Sequence, residues 1–188
     1  MKKSIFAAIA LLCISFGMNA QTWTIGSSFV GMNFDDKNGS EYRDYGVGIN
    51  FGREIPVAGC FSVLPTVGYN YFWGTPYDLA EFEKQNIALN VQPKFTFGLS
   101  KSISAFVSGI IAPSYVLSEK LYVDDVLIRD YINKGNSTKF NLDGGAAAGV
   151  EIANTLRVGL SFTHSLTSTD KVDDAHFNIV GINLSYMF

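Results

Sequence analysis

The chain has 188 residues, a length typical of one domain, with 47% hydrophobic residues and a formal net charge of −3 at pH 7. This acidic balance argues against a nucleic-acid partner, because nucleic-acid-binding proteins contact phosphates through Lys and Arg. Two cysteines, one of them in a predicted leader, leave Cys60 alone and exclude an internal disulfide scaffold. Eighteen glycines and 26 aromatic residues favour β-strands over helices.

The first 20 residues have the pattern of a secretory signal peptide. Lys2 and Lys3 give a positive start, residues 5–16 form an apolar stretch, and Ala20 ends a small-residue cleavage site. Cys13 lies inside the apolar stretch, so we interpret it as hydrophobic filler and not as a lipid-attachment cysteine. We therefore expect a signal peptide over residues 1–20 and an exported domain over residues 21–188.

The exported part alternates large apolar residues with small or polar ones in eight segments of about ten residues. This is the length that a tilted transmembrane β-strand requires. The pattern is clearest over residues 45–52, where the odd positions are large and apolar and the even positions are Gly or Asn. It predicts strands with one face toward lipid and the other toward a crowded interior.

The first of these segments, residues 22–34, has an ambiguous parity. Trp23 and Ile25 suggest that odd positions face lipid, whereas Val30 and Met32 suggest even positions. Either a bulge near residues 27–28 shifts the alternation, or the strand is amphipathic on both sides.

The connections between the segments alternate in length. Longer connections at 35–44, 74–84, 117–139 and 167–175 alternate with shorter turns at 56–60, 99–101 and 153–155. A soluble β-sandwich is disfavoured, because its outward face would carry more Lys, Glu and Thr. A lipocalin-like barrel is disfavoured too, because its interior would be lined by large apolar groups. We predict an all-β fold, an eight-stranded antiparallel transmembrane β-barrel with short periplasmic turns and long extracellular loops.

The last segment, residues 180–188, alternates in the same way and ends on a free aromatic residue. With the strand count and the connection lengths, this ending resembles the small eight-stranded outer-membrane barrels, the OmpX-like and OmpA-transmembrane-like group with an outer membrane protein β-barrel domain. The resemblance implies a place in the bacterial outer membrane, contact with its lipid and lipopolysaccharide, and insertion by the barrel-assembly machinery, with Tyr186 and Phe188 in the assembly signal. It specifies architecture well and activity hardly at all.

Side chains fill the interior of a barrel of this size. The charged residues at inward positions that we single out as a lumen cluster are Glu54, Lys94, Asp143, Glu151 and Arg157. Since charges shielded from water need partners, we expect Glu151 and Arg157 to pair across the 153–155 turn, with Lys94 and Glu54 at similar depth. The cluster predicts a plugged lumen. The alternative is a narrow porin-like channel for small or amphipathic solutes.

The longest connection, 117–139, is too apolar for a flexible tether. Its candidate surface-interaction residues are Tyr122, Val126, Ile128 and Tyr131. Residues 126–132 are expected to extend two strands above the membrane or to form a short helix. A protruding strand edge can pair with a partner's strand, which predicts an adhesion-like role with an extracellular protein partner. The alternative is a cap that folds over the barrel mouth and buries these residues.

The two histidines give little support for catalysis. His164 and Ser165 are neighbours on a predicted strand, so their side chains should point to opposite faces, and His176 lies near the rim. We therefore expect no enzyme. A lipid-modifying barrel enzyme is the third functional alternative, after the adhesion-like role and the channel.

The acidic long connections suit divalent cations that bridge to lipopolysaccharide, but they lack the ligand spacing of a dedicated calcium loop. No metal site and no cofactor is predicted.

Overall fold

The computed structural model describes residues 22–35, 41–77, 80–124, 126–130, 132, 138–167 and 176–188. The predicted signal peptide and Tyr131 lie outside the described residues. The strands of the described part are β1 Thr22–Asp35, β2 Glu41–Ala58, β3 Phe61–Tyr77, β4 Ala80–Gly98, β5 Ile103–Val123, β6 Val126–Asp130, β7 Phe140–Ile152, β8 Leu156–Ser165 and β9 His176–Met187. Within these residues no helix is long and apolar enough to cross a membrane.

Eight of the strands form a closed antiparallel ring. Each strand pairs with its neighbours in the order β1, β2, β3, β4, β5, β7, β8, β9, and β9 pairs back onto β1. The closing seam includes reciprocal main-chain hydrogen bonds between Trp23 and Phe188, both 2.9 Å long. β6 lies outside the ring and pairs with the upper end of β5. The predicted eight-stranded antiparallel barrel is confirmed.

The outward face of the ring is a continuous apolar belt. Ile49, Ile111 and Leu160 are 65%, 54% and 61% exposed, and the neighbouring strands present Phe, Val and Leu in the same way. Soluble monomers rarely expose apolar patches of such extent, and hydrocarbon is the medium that such a belt fits. The barrel therefore spans a membrane through this belt.

The first strand has no bulge. Its pairing with β2 runs without interruption from Thr22 opposite Glu54 to Asp35 opposite Glu41. Its even positions face inward, and Met32 is completely buried in the lumen. The inward apolar residues of β1, which made its parity ambiguous, thus pack inside the barrel. Of the two alternatives, the bulge near residues 27–28 is wrong, and the strand has apolar residues on both faces.

A bulge occurs instead in β5. Asn86 of β4 pairs with Val116, but the preceding Gln85 pairs with Ser118, so Leu117 is an extra residue. The inserted residue reverses the alternation above it, and Glu119 consequently points inward and is buried. Since β2 also begins at Glu41, buried Asp44 lies in a strand too. The prediction that Asp44 and Glu119 belong to the long outer connections is wrong.

The turn between β7 and β8 sets the register of the inner lumen. Ala153 and Asn154 both have positive φ, 52° and 55°, and the Thr155 amide donates to the Ile152 carbonyl at 3.0 Å. Positive φ at both central residues matches the twist of the flanking strands. The turn places Glu151 directly opposite Arg157.

Candidate functional site

Four charged side chains meet in the lumen near the short turns, and we call them the inner charge cluster: Glu54, Lys94, Glu151 and Arg157. Lys94 Nζ lies 2.7 Å from Glu54 and 2.5 Å from Glu151 Oε1. Arg157 Nε donates to Glu151 Oε1 at 2.8 Å, and its Nη2 contacts Glu54. Two cations thus share two carboxylates, and the formal charges balance. The predicted contact between Glu151 and Arg157 is present, with Lys94 and Glu54 at the same depth.

The surroundings of the inner charge cluster satisfy and cover its charges. Lys94 is only 1% exposed, and the Ser62 hydroxyl donates to Glu54 at 2.7 Å. The Phe106 ring lies 5.8 Å from Lys94 Nζ and 5.6 Å from the Arg157 guanidinium carbon. Buried charges are tolerated when partners and hydrogen bonds of this kind surround them.

Asp143 does not reach the inner charge cluster. It lines the lumen on β7, as Glu151 does, but the two residues are eight positions apart. Eight residues of extended strand span roughly 27 Å, far beyond the reach of an ion pair. The prediction that Asp143 belongs to one lumen cluster with the other four residues is therefore wrong. Asp143 also faces the lumen, but it lies at a different position along the barrel axis.

The middle of the lumen is polar and contains a cavity of about 150 Å³. Amide and hydroxyl side chains line much of it, among them Asn50, Asn70, Asn86, Asn90, Gln92 and Ser161. Asn70 Nδ2 donates to Asn86 Oδ1 at 2.8 Å, and Asn183 Nδ2 donates to the Ser161 hydroxyl at 2.9 Å. A polar space of this volume has room for several water molecules.

Near the outer end, four side chains pack across the lumen and form what we call the outer apolar cluster: Met32, Phe72, Phe82 and Phe177. Each is at most 6% exposed. Lys84 lies beside them, with Nζ 4.3 Å from the Phe177 ring centroid and 3.9 Å from Glu119. This cluster was not predicted, although Phe72 lies at an inward position of the predicted alternation and was its one signal.

At the outer end of the barrel, the last residues of β5 pair with β6 and form a hairpin that extends beyond the ring. We call residues 120–130 the rim hairpin. Lys120 pairs with Asp130 and Val123 with Val126, so the predicted two strands are present. The side chains of Val126, Leu127 and Ile128 are 60%, 48% and 53% exposed. The alternative of a cap over the barrel mouth would bury these side chains, so the exposure argues against it. Tyr122 is half-buried in the hairpin. In the described residues, β6 pairs along one edge only.

The histidines lie at the outer end of β8 and β9. His164 Nδ1 lies 2.9 Å from Asn178 Oδ1, and His176 Nδ1 lies 2.9 Å from the Ser165 carbonyl oxygen. The Ser165 hydroxyl donates to the Thr167 carbonyl at 2.8 Å. Ser165 is buried inside whereas His164 is exposed outside, so the two side chains do point to opposite faces. Among the described residues, no three His, Cys, Asp or Glu side chains are grouped to hold a metal ion.

No protein-family model and no curated protein matches this sequence. Among solved structures, the barrel is similar to Neisserial surface protein A (NspA), with a TM-score of 0.59 and 11% identity over 88% of this chain and 97% of that one. It is also similar to Ail, the attachment invasion locus protein of Yersinia pestis, with a TM-score of 0.55 and 10% identity over 91% and 100% of the two chains.

The outer membrane enzyme PagL is a further similar structure, with a TM-score of 0.50 and 17% identity over 87% of this chain and 98% of that one. Identities this low carry information about the fold and not about activity. The chain thus has the fold of the small eight-stranded outer-membrane β-barrels.

Proposed function

We propose that this protein is a bacterial outer-membrane barrel with a structural and adhesion-like role, and that it binds an extracellular protein through the rim hairpin. The observation that carries the proposal is the exposure of Val126, Leu127 and Ile128 on a strand outside the ring. An open strand edge with exposed apolar side chains suits strand addition by a partner. The similarity to Ail, named for attachment and invasion, is consistent with this class of function.

The proposal includes a plugged lumen. The inner charge cluster crosses the lumen near the short turns, and the outer apolar cluster crosses it near the rim. The cavity of about 150 Å³ lies between them. Solvent exposure of Lys94 at 1% and of Phe72 at 4% supports a barrel without a continuous water path.

Two further contacts belong to the same proposal. Rim carboxylates such as Glu81 and Asp124 would contact lipopolysaccharide through divalent cations, because carboxylate oxygens suit such ions. Tyr186 and Phe188 are exposed at the end of the closing strand, where the barrel-assembly machinery would read them.

Adhesion of cells that display the protein tests the role of the rim hairpin. Such cells should bind immobilised fibronectin, laminin or collagen, or one another, more than cells without the protein. The triple variant Val126→Ser, Leu127→Asn, Ile128→Ser should lose this binding. Leu166→Ser is the matched control, since Leu166 is 58% exposed at the same end but lies outside the hairpin. Equal adhesion with and without the wild-type protein, or equal loss in the control, would refute the proposal.

The polar cavity favours one second candidate function, a narrow channel for small or amphipathic solutes. Single-channel recording of residues 21–188 refolded in a planar bilayer distinguishes it from the plug, with Arg157→Ala recorded alongside. Discrete steps in the wild type that grow in Arg157→Ala would establish transport. A silent bilayer with verified refolded protein supports the plug.

We also propose that the protein is not an enzyme, although the similar PagL structure is one. The contact of the Ser165 hydroxyl with a backbone carbonyl supports this view, because a nucleophilic serine needs a base within hydrogen-bond reach. Mass spectrometry of lipopolysaccharide and phospholipid incubated with the refolded protein tests it. Lipid products that disappear in His164→Ala or Ser165→Ala would show that the protein is an enzyme.

A further inference from the structure

Arg53 is a cation on the lipid-facing side of β2, near the inner end of the barrel. It pairs across the strands with Trp23, and its guanidinium carbon lies 5.1 Å from the Trp23 ring centroid. The Trp23 ring stacks in turn on Phe51, with centroids 5.1 Å apart and planes at 18°. Successive side chains of a strand point to opposite faces, so Arg53 is separated by the barrel wall from Glu54 and the inner charge cluster.

Arg53 has unused hydrogen-bonding capacity. Its Nε is buried and has no hydrogen-bond partner in the described part of the chain. The ion pairs among the described residues do not include Arg53. A guanidinium has five N–H donors in a fixed planar arrangement and stays charged at any physiological pH. A charge placed in this way against a membrane is stabilised by an anionic partner from outside the protein, which would bind the part of the guanidinium that is not buried.

The position of Arg53 identifies the source of that partner. Trp23, Tyr186 and Phe188 are exposed aromatic residues at the inner end of the apolar belt, the level at which aromatic rings meet lipid headgroups. Further toward the centre of the membrane, Phe51 and Ile49 continue the belt along β2 and offer an apolar surface to acyl chains. The surroundings therefore suit a lipid, whose phosphate and chains are both accommodated, better than a free phosphate ion.

We propose that Arg53 and Trp23 form a binding site for the phosphate of an anionic glycerophospholipid in the periplasmic leaflet. The guanidinium binds the phosphate oxygens in a bidentate manner, which is the geometry that Arg favours. Trp23 holds the guanidinium plane from one side through a cation–π contact. The site goes beyond the proposed surface role, because it lies at the opposite end of the barrel from the rim hairpin.

Native mass spectrometry of the refolded full barrel, titrated with phosphatidylglycerol in detergent, tests the site. The wild type should retain one phosphatidylglycerol, and Arg53→Gln should weaken that first binding event about fivefold, as expected for loss of one basic residue at a membrane surface. Lys101→Gln is the matched control, because Lys101 is an exposed cation in the 99–102 turn at the same end. Among the described residues, the cations that lie over aromatic rings do not include Lys101. Trp23→Leu should weaken binding less than Arg53→Gln.

The heat-dependent gel mobility of each variant verifies that it is folded, so that only folded barrels are compared. Unchanged lipid retention in folded Arg53→Gln would overturn the proposal. An equal loss in Lys101→Gln would overturn it too, since binding would then follow net charge alone. Displacement of the lipid by an equal concentration of inorganic phosphate would identify the ligand as a free anion and would also overturn it.

Discussion

The inner and outer ends of the lumen are filled by opposite chemistry. At the inner end, Lys94 and Arg157 share the carboxylates of Glu54 and Glu151. At the outer end, Met32 and the phenylalanines of the outer apolar cluster pack with almost no exposure. A buried ion pair needs every partner, whereas an apolar cluster mainly needs its volume conserved. The inner end is therefore the more sensitive to single substitutions, and the outer end tolerates volume-conserving exchange.

The largest effect is expected from Arg157→Ala at the inner end. The substitution leaves two buried carboxylates with only Lys94, so the free energy of unfolding should fall by about 4 kcal/mol. Urea unfolding of the refolded barrel in liposomes, followed by Trp fluorescence, measures the loss. Adding Glu151→Ala should restore part of it, because one cation and one carboxylate then remain. A loss below about 1 kcal/mol in the single variant would contradict the dependence on each partner.

At the outer end, Phe72→Ala should lower the free energy of unfolding by about 3 kcal/mol, since it leaves a cavity in the outer apolar cluster. Phe72→Leu should cost less than about 1.5 kcal/mol, because most of the volume is kept. Phe29→Ala is the comparison for a phenylalanine that faces lipid and is 51% exposed, because it removes a ring from hydrocarbon without leaving a cavity in the lumen. The same unfolding measurement applies, and equal costs for Phe72→Leu and Phe72→Ala would remove the contrast between the two ends.

Phe106 packs closely against the backbone at Gly149, so a single methyl group added there should lower the free energy of unfolding. A Cβ atom at Gly149 would meet the Val158 carbonyl oxygen and lie 2.8 Å from Phe106 Cε1. Gly149→Ala should therefore push Phe106 away from Lys94 and Arg157 and cost about 2 kcal/mol in the unfolding assay. Gly98→Ala is the control, because nothing lies within 4 Å of its added Cβ. If both alanines are equally tolerated, Phe106 is not held by this close approach.

The smallest effect is expected in the polar middle of the lumen. Asn70→Ala removes the 2.8 Å hydrogen bond to Asn86, but the adjoining cavity has room for water to satisfy the remaining amide. We expect a loss of about 1 kcal/mol by urea unfolding. Asn33→Ala at an exposed position provides the baseline. A cost as large as that of Phe72→Ala would mean that the middle is packed as tightly as the ends.

The barrel fold could be predicted because its two faces differ in chemistry at nearly every position. In β2, Val47 and Ile49 face lipid while Gly46 and Gly48 face the lumen, so a period of two is visible in the sequence alone. β1 was ambiguous because Val30 and Met32 are apolar on the inward face. The pattern does not distinguish an apolar residue that faces lipid from one that packs on Phe177, a residue distant in the sequence.

The candidate site could be predicted where it depends on local structure. The contact between Glu151 and Arg157 follows from one short turn, which fixes their register. The contact between Lys84 and Glu119 could not be predicted, because the extra residue Leu117 reverses the facing of everything above it in β5. Asp143 shows a further limit, since alternation gives the face of a residue but not its depth.

The seam between β1 and β9 joins the two ends of the folded domain. Thr24 pairs with Met187, and Trp23 exchanges main-chain hydrogen bonds with Phe188. Hairpins such as β7 and β8 form between near neighbours in the sequence, but the seam closes a loop that contains nearly the whole chain, with the larger entropic cost that this entails. Until it closes, β1 and β9 each expose an edge to which a foreign strand can add. A hairpin thus needs only two strands that are neighbours in the sequence, whereas the seam can form only when β1 and β9 are both present.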